Sequence, residues 1–147
     1  MISMLELFKK KRISDRQEMD YGLLKELRRA DKDTFKMTYS FSSKNMSVSV
    51  ELAFHRHKNG GGWVSNDAEV AENAVIGKNS VVMPNAKVGA DAVIKDFVVI
   101  GQGATIHYGA IVESRSYVGN GATVCQFIRV PMKCRIEENE VWQNCLT

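Results

Sequence analysis

No run of apolar residues approaches the roughly 20 needed to cross a bilayer as a helix. The 147-residue chain is nevertheless 44% hydrophobic, the share expected of a soluble globular domain. Cysteine is scarce. Cys125, Cys134 and Cys145 are an odd set without the spacing of a disulfide framework or a zinc site, which fits a reducing compartment. Residues 1–8 are too short for the apolar core of a signal peptide and are broken by Glu6, and the positive charges follow them. A cytoplasmic location is expected. Histidine is almost missing: His55, His57 and His107 are the only three. His55 and His57 alternate on one strand outside the repeats, so no convergent metal site is expected.

Charge is lopsided rather than strong. Residues 1–60 hold 13 Lys/Arg against 8 Asp/Glu, whereas residues 61–147 hold 7 against 9. The excess sits in Lys9-Lys10-Lys11-Arg12 and Arg28-Arg29, and runs of this kind are usually solvated helix faces. No DNA- or RNA-binding motif accompanies them, so nucleic acid is not the expected partner.

What the sequence does have is a period of six. Val64, Val70, Ile76, Val82, Val88, Ile94, Ile100, Ile106, Val112, Val118, Val124, Val130 and Ile136 recur at that spacing without a break, and Trp142 follows in register. Two residues earlier the side chain is usually small, as at Ala74, Ser80, Ala86, Ala104 and Ser116. Three residues later comes a turn former, as at Asn85, Asp91, Gly103, Gly109, Gly121 and Asn139, with Phe97 an aromatic exception. Six does not match a helical face, which returns at three, four and seven. It suits short strands joined by tight turns, three to a coil of 18 residues, with the aliphatic and small residues inside.

These repeats resemble the hexapeptide-repeat family, and the resemblance implies a left-handed parallel β-helix of about four coils over residues 61–147. The step Gly60-Gly61-Gly62-Trp63-Val64 is also similar to the opening of β-helix proteins from phages and enteric bacteria. Residues 1–60 form the expected cap, giving a mainly β protein. Two amphipathic helices are expected, over residues 2–11 and from Ser14 or Asp15 to about Ala30, the second with Leu23, Leu24 and Leu27 on its stripe. Phe35, Met37, Tyr39 and Phe41, then Val48, Val50, Leu52 and Phe54, alternate as a hairpin does. A hairpin alone is marginal, so its apolar face should cover the mouth of the β-helix.

Residues 18 apart stack. The outward column Glu69, Lys87, Thr105 and Thr123 is polar, whereas Val75, Val93 and Ile111 form one apolar column and Val81, Val99 and Tyr117 another. The two apolar faces meet at the corner bearing Phe97. Exposed apolar stripes mark interfaces, and the resemblance implies a homotrimer. Val75, Val81, Val93, Phe97, Val99 and Ile111 are therefore the expected trimer interface. The competing expectation is that the N-terminal hairpin or helices cover one face within the same chain.

Two functional readings are expected, a phage-type sequestering protein being one form of the first and the second being what the resemblance implies. The first is a non-catalytic homotrimer that binds a small anionic ligand, a nucleotide or a protein partner at subunit boundaries, with no cofactor. Its candidate contacts are Lys95, His107, Tyr108, Arg115 and Arg129. The alternative is an acyltransferase using acetyl- or acyl-coenzyme A, with His107 as general base, since histidine ordinarily titrates near neutrality. No insertion interrupts the repeats to supply the acceptor loop common in such enzymes. The zinc-dependent carbonic anhydrases of the family need three convergent histidines, which this chain does not offer.

Overall fold

The computed structural model describes residues 20–27, 33–43 and 46–143. A helix, α1 (residues 20–27), precedes a hairpin of β1 (Thr34–Ser43) and β2 (Met46–Arg56). The first coil is β3 (Trp63–Ser65), β4 (Glu69–Val70) and β5 (Val75–Ile76). The second is β6 (Val81–Val82), β7 (Lys87–Val88) and β8 (Val93–Ile94), and the third is β9 (Val99–Ile100), β10 (Thr105–Ile106) and β11 (Ile111–Val112). The fourth is β12 (Tyr117–Val118), β13 (Thr123–Val124) and β14 (Arg129–Val130), and β15 (Arg135–Ile136) and β16 (Val141–Trp142) begin another. The helix expected over residues 2–11, the start of the second helix and both basic runs lie outside the described residues.

Strands 18 residues apart pair in parallel, which makes three sheets and hence three faces. Face A stacks β3, β6, β9, β12 and β15; face B stacks β4, β7, β10, β13 and β16; face C stacks β5, β8, β11 and β14. The period of six thus has its physical cause: one side chain per strand enters the interior, and the turn returns the chain to the same depth. Twelve of the 13 Val and Ile positions are buried in one continuous core, and Val70 packs against it half-buried. The chain is a parallel β-solenoid.

The turn column is stricter in conformation than in sequence. All ten positions from 85 to 139 at spacing six are left-handed, with φ between 57° and 70°. Asn, Asp and Gly tolerate this, but Phe97, Arg115, Phe127 and Lys133 are held there too. From residue 85 onward position in the coil, rather than residue type, fixes the backbone, whereas Asp67, Asn73 and Asn79 of the same column are not left-handed.

Two inward small residues do more than fill space. Ser116 Oγ donates to the Pro131 carbonyl at 2.7 Å and accepts from the Cys134 amide at 3.2 Å. Ser80 Oγ likewise donates to the Lys95 carbonyl and accepts from the Val98 amide. Both serines sit at the corner between faces C and A and stitch one rung to the next. Ser80→Ala would strand the buried Val98 amide, at a cost of about 1–3 kcal/mol. A lowered urea midpoint at unchanged m-value would register it; an unchanged midpoint would show that the corner relaxes.

The N-terminal part closes the solenoid unevenly. On face A, β2 pairs antiparallel with β3 through Phe54–Ser65, His55–Val64 and Arg56–Trp63. On face C, the Gly62 amide donates to the Ile76 carbonyl at 3.0 Å and the Ile76 amide to the Asn59 carbonyl at 3.1 Å. A side chain at Gly60 or Gly62 would collide with Ile76, so the approach requires glycine. On face B, β4 is the sheet's end, with no described strand beyond it. That is why Val70 is less covered than its equivalents.

Helix α1 lies across face A. Leu23, Leu24 and Leu27 are buried with Leu52, Phe54, Trp63, Val81, Met83, Val99 and Tyr117 in a second apolar cluster. The Trp63 indole N–H donates to the Leu27 carbonyl at 3.1 Å, and the Tyr117 hydroxyl donates to buried Asp20 at 2.8 Å. This corrects the expected subunit interface at two positions. Val81 and Val99 are fully buried inside the chain, because the apolar stripe of face A is matched by the stripe of α1. Val75, Val93, Ile111 and Phe97 remain partly exposed on face C and its corner.

Candidate functional site

The unequal closure leaves a groove of 680 Å³ along face B, at the end where β4 is uncovered. Its wall is the outward column Glu69, Lys87 and Thr105, one residue from each of three successive rungs. Its far rim is the corner between faces B and C, where His107 and Tyr108 follow β10. The rungs beneath His107 carry only Ala71 and Gly89 at the equivalent position, and these small residues leave the hollow beside the imidazole. A Cβ on Gly89 would already stand 3.0 Å from the Tyr108 amide nitrogen. The groove therefore depends on sequence at the residues under the histidine as much as on the histidine itself.

His107 is exposed at this rim, and no described side chain hydrogen-bonds its ring. Tyr108 is more constrained. The Asp91 carboxylate accepts a hydrogen bond from its hydroxyl and, with its negative charge, raises the phenol pKa above the ordinary value. Asp91 is itself held by Asn73, whose Nδ2 donates to it at 2.8 Å. The ring of Phe127 stands edge-on to Tyr108 with centroids 5.5 Å apart. Cys125, one rung above His107, is a free, partly exposed thiol.

The other expected contacts are not brought to this groove. Arg129 lies on face C, where its Nε is 3.1 Å from Glu113 Oε1. Lys95 and Arg115 belong to the corner between faces C and A, with the Arg115 guanidinium 6.0 Å from the Phe97 ring centroid. His55 and His57 are engaged elsewhere: His55 Nδ1 pairs with Asn66 Oδ1 at 2.6 Å and His57 Nε2 with the Ala74 carbonyl at 2.9 Å. Sequence reasoning recognised Glu69, Lys87 and Thr105 as a polar column but did not assign them to a site. Their signal was present, since they form the polar face next to the only histidine within the repeats.

A family model described as bacterial transferase hexapeptide (six repeats) matches residues 67–102. The solenoid is built of hexapeptide repeats. The matched hexapeptide segment contains the groove's first two rungs and stops five residues before His107. No curated protein matches the chain. Among solved structures, the acetyltransferase domain of PglB from Neisseria gonorrhoeae FA1090 in complex with acetyl coenzyme A is similar. It is 22% identical, with a TM-score of 0.42 over 53% of this chain and 52% of that one. A second structure of that domain is 26% identical, with a TM-score of 0.38 over 53% of this chain and 47% of that one. The hexapeptide-repeat chain spans about half the length of each. No described helix is long and apolar enough to cross a membrane.

Proposed function

We propose that this protein is an acyltransferase that takes its acyl group from a coenzyme A thioester, with His107 as general base. The observation that carries the proposal is the placement of an exposed imidazole at the rim of a groove whose walls hold a carboxylate, an ammonium and a hydroxyl on consecutive rungs. The description of the family model as a transferase repeat supports the same reading. The thioester supplies an activated acyl carbon. His107 accepts the proton of an acceptor hydroxyl or amine as that atom forms its bond to the acyl carbon, and returns it to the departing thiolate. Lys87 is the groove's cation and suits the anionic end of the donor, and the small Ala71 and Gly89 leave room for a slender arm.

The protein acts as a homotrimer in this proposal. The half-exposed stripe Val75, Val93 and Ile111, with Phe97 at its corner, is the surface left for neighbouring copies once α1 has covered face A. The rim bearing His107 borders that same face, so a neighbouring copy would complete the groove.

A binding protein without turnover is the second reading, and one observation favours it: no described side chain orients the His107 ring, whereas a general base is usually held by a third group. Acetyl-coenzyme A separates the two. At about 100 times its dissociation constant a ligand stabilises the folded state by about 2.7 kcal/mol, a rise in melting temperature of roughly 5–10 °C for a chain of this size. Binding with thiol release in the presence of hydroxyl and amine acceptors supports the acyltransferase. Binding without release favours the second reading, and no thermal shift overturns the choice of donor. Native mass spectrometry of the same sample should give a trimer mass.

A further inference from the structure

The corner between faces B and C carries two aromatic rings that the core does not use. Tyr108 is 45% exposed and Phe127, one rung higher, is 70% exposed. Both adjoin His107: Tyr108 follows it in the chain, and the Phe127 amide donates to the Tyr108 carbonyl at 3.1 Å. Phe127 is also an unfavourable choice for its position. Its backbone is left-handed, with φ of 60°, in a turn column where Asp91 and Gly109 precede it. Glycine, asparagine and aspartate take that conformation more readily. Folding alone gives no reason for a phenylalanine here, and residues kept in disfavoured conformations cluster at binding sites.

The two rings are held in place. Asn73 Nδ2 fixes Asp91 at 2.8 Å, Asp91 accepts from the Tyr108 hydroxyl, and the rings of Tyr108 and Phe127 meet at 87° with centroids 5.5 Å apart. Four successive rungs thus build one ladder up the corner. Gly109 seats the top of it, since a Cβ there would stand 2.7 Å from two Phe127 ring carbons. Perpendicular rings leave a re-entrant angle in which a third flat ring meets one face-on and the other edge-on, both favourable geometries. The charge beside them selects further. Asp91 is a carboxylate, and aromatic faces attract cations, so an ammonium is favoured and an anion disfavoured. Arg129, two residues beyond Phe127, is paired with Glu113 on face C at 3.1 Å.

We propose that this aromatic corner binds the acyl acceptor and that the acceptor is an arylalkylamine, its ring against Tyr108 and Phe127 and its nitrogen at His107. The proposal rests on the acyltransferase reading and adds the acceptor's class to it. The small residues below the imidazole leave room for the donor arm, so the acceptor comes from the rung above. The bound ammonium first loses a proton to solvent. Its nitrogen then bonds the acyl carbon as the carbon–sulfur bond breaks, and a second proton passes through His107 to the departing thiolate, leaving an amide and a free thiol. The first step of the test needs no donor. Full-length, ¹⁵N-labelled protein is titrated with phenethylamine and, separately, with n-butylamine, following the backbone amide signal of Tyr108. Saturable movement is expected at millimolar phenethylamine, and n-butylamine should bind about tenfold more weakly for want of a ring. Phe127→Asn suits the left-handed turn and removes the ring, so it should erase that preference at an unchanged or higher melting temperature. In the second step acetyl-coenzyme A is added, and thiol release should show the same preference in KM. No saturable movement, equal binding of the two amines, or a preference that survives Phe127→Asn overturns the proposal. So does a smaller assembly for Phe127→Asn in native mass spectrometry, which would make the ring a subunit contact. Preferential binding with no thiol release to any acceptor overturns the acceptor role together with the acyltransferase reading. Release with other amines or hydroxyls but not with phenethylamine overturns the acceptor class alone.

Discussion

Trp63→Ala is expected to lower stability by about 3–5 kcal/mol, the range for removing a buried tryptophan. For a chain of this length that is a fall in melting temperature of about 10 °C. Trp63 is fully buried at the foot of face A, between the first coil and the chain that precedes it. Its indole N–H holds the Leu27 carbonyl at the end of α1, its ring meets Phe35 edge-on with centroids 6.4 Å apart, and the Arg56 guanidinium lies 4.2 Å from its centroid. One substitution therefore removes a large apolar surface, a hydrogen bond and two ring contacts from the junction of helix, hairpin and solenoid. Trp63→Phe separates these contributions, since it retains most of the apolar area and loses the N–H bond, worth about 1 kcal/mol. Thermal unfolding followed by circular dichroism measures both variants. A shift below about 3 °C for Trp63→Ala would mean that α1 does not depend on this anchor.

That junction also marks where the sequence was legible and where it was not. The solenoid could be read because its signal is redundant: 13 aliphatic positions repeat one local instruction, so that Ile94 stacks on Ile76 and Val112 on Ile94. The outward stripes could be read as well, but not what covers them. Val81 and Val99 carry the same signal as Val93 and Ile111; only the long-range match to Leu23, Leu24 and Leu27 assigns the first pair to the chain's own helix. Sequence separation hides such pairings, since nothing local in α1 says which of two apolar faces it will meet. The groove was half legible for a similar reason. His107 and Tyr108 stand out by type, whereas Ala71 and Gly89 matter by being small, and the open edge at β4 exists because the cap covers faces A and C but not B.

His107→Ala carries the largest functional effect: a fall in kcat of about 10²–10⁴, the usual contribution of a positioned general base. The argument turns on what should stay constant. His107 is exposed at the groove's rim and its ring bonds no described side chain, so its removal leaves no buried group unpaired and opens no interior cavity. The melting temperature of the free protein should therefore hold, and so should its rise with acetyl-coenzyme A, because the floor and walls of the groove belong to other residues. A loss confined to kcat identifies an interaction made only in the transition state. His107→Asn preserves polarity and rough size without a ring nitrogen that can take up a proton, so it should be as inactive as the alanine variant. If His107→Asn instead kept activity within about tenfold of the unaltered protein, the histidine would only be occupying space at the rim. The transfer would then proceed without His107, and its assignment as general base would be overturned.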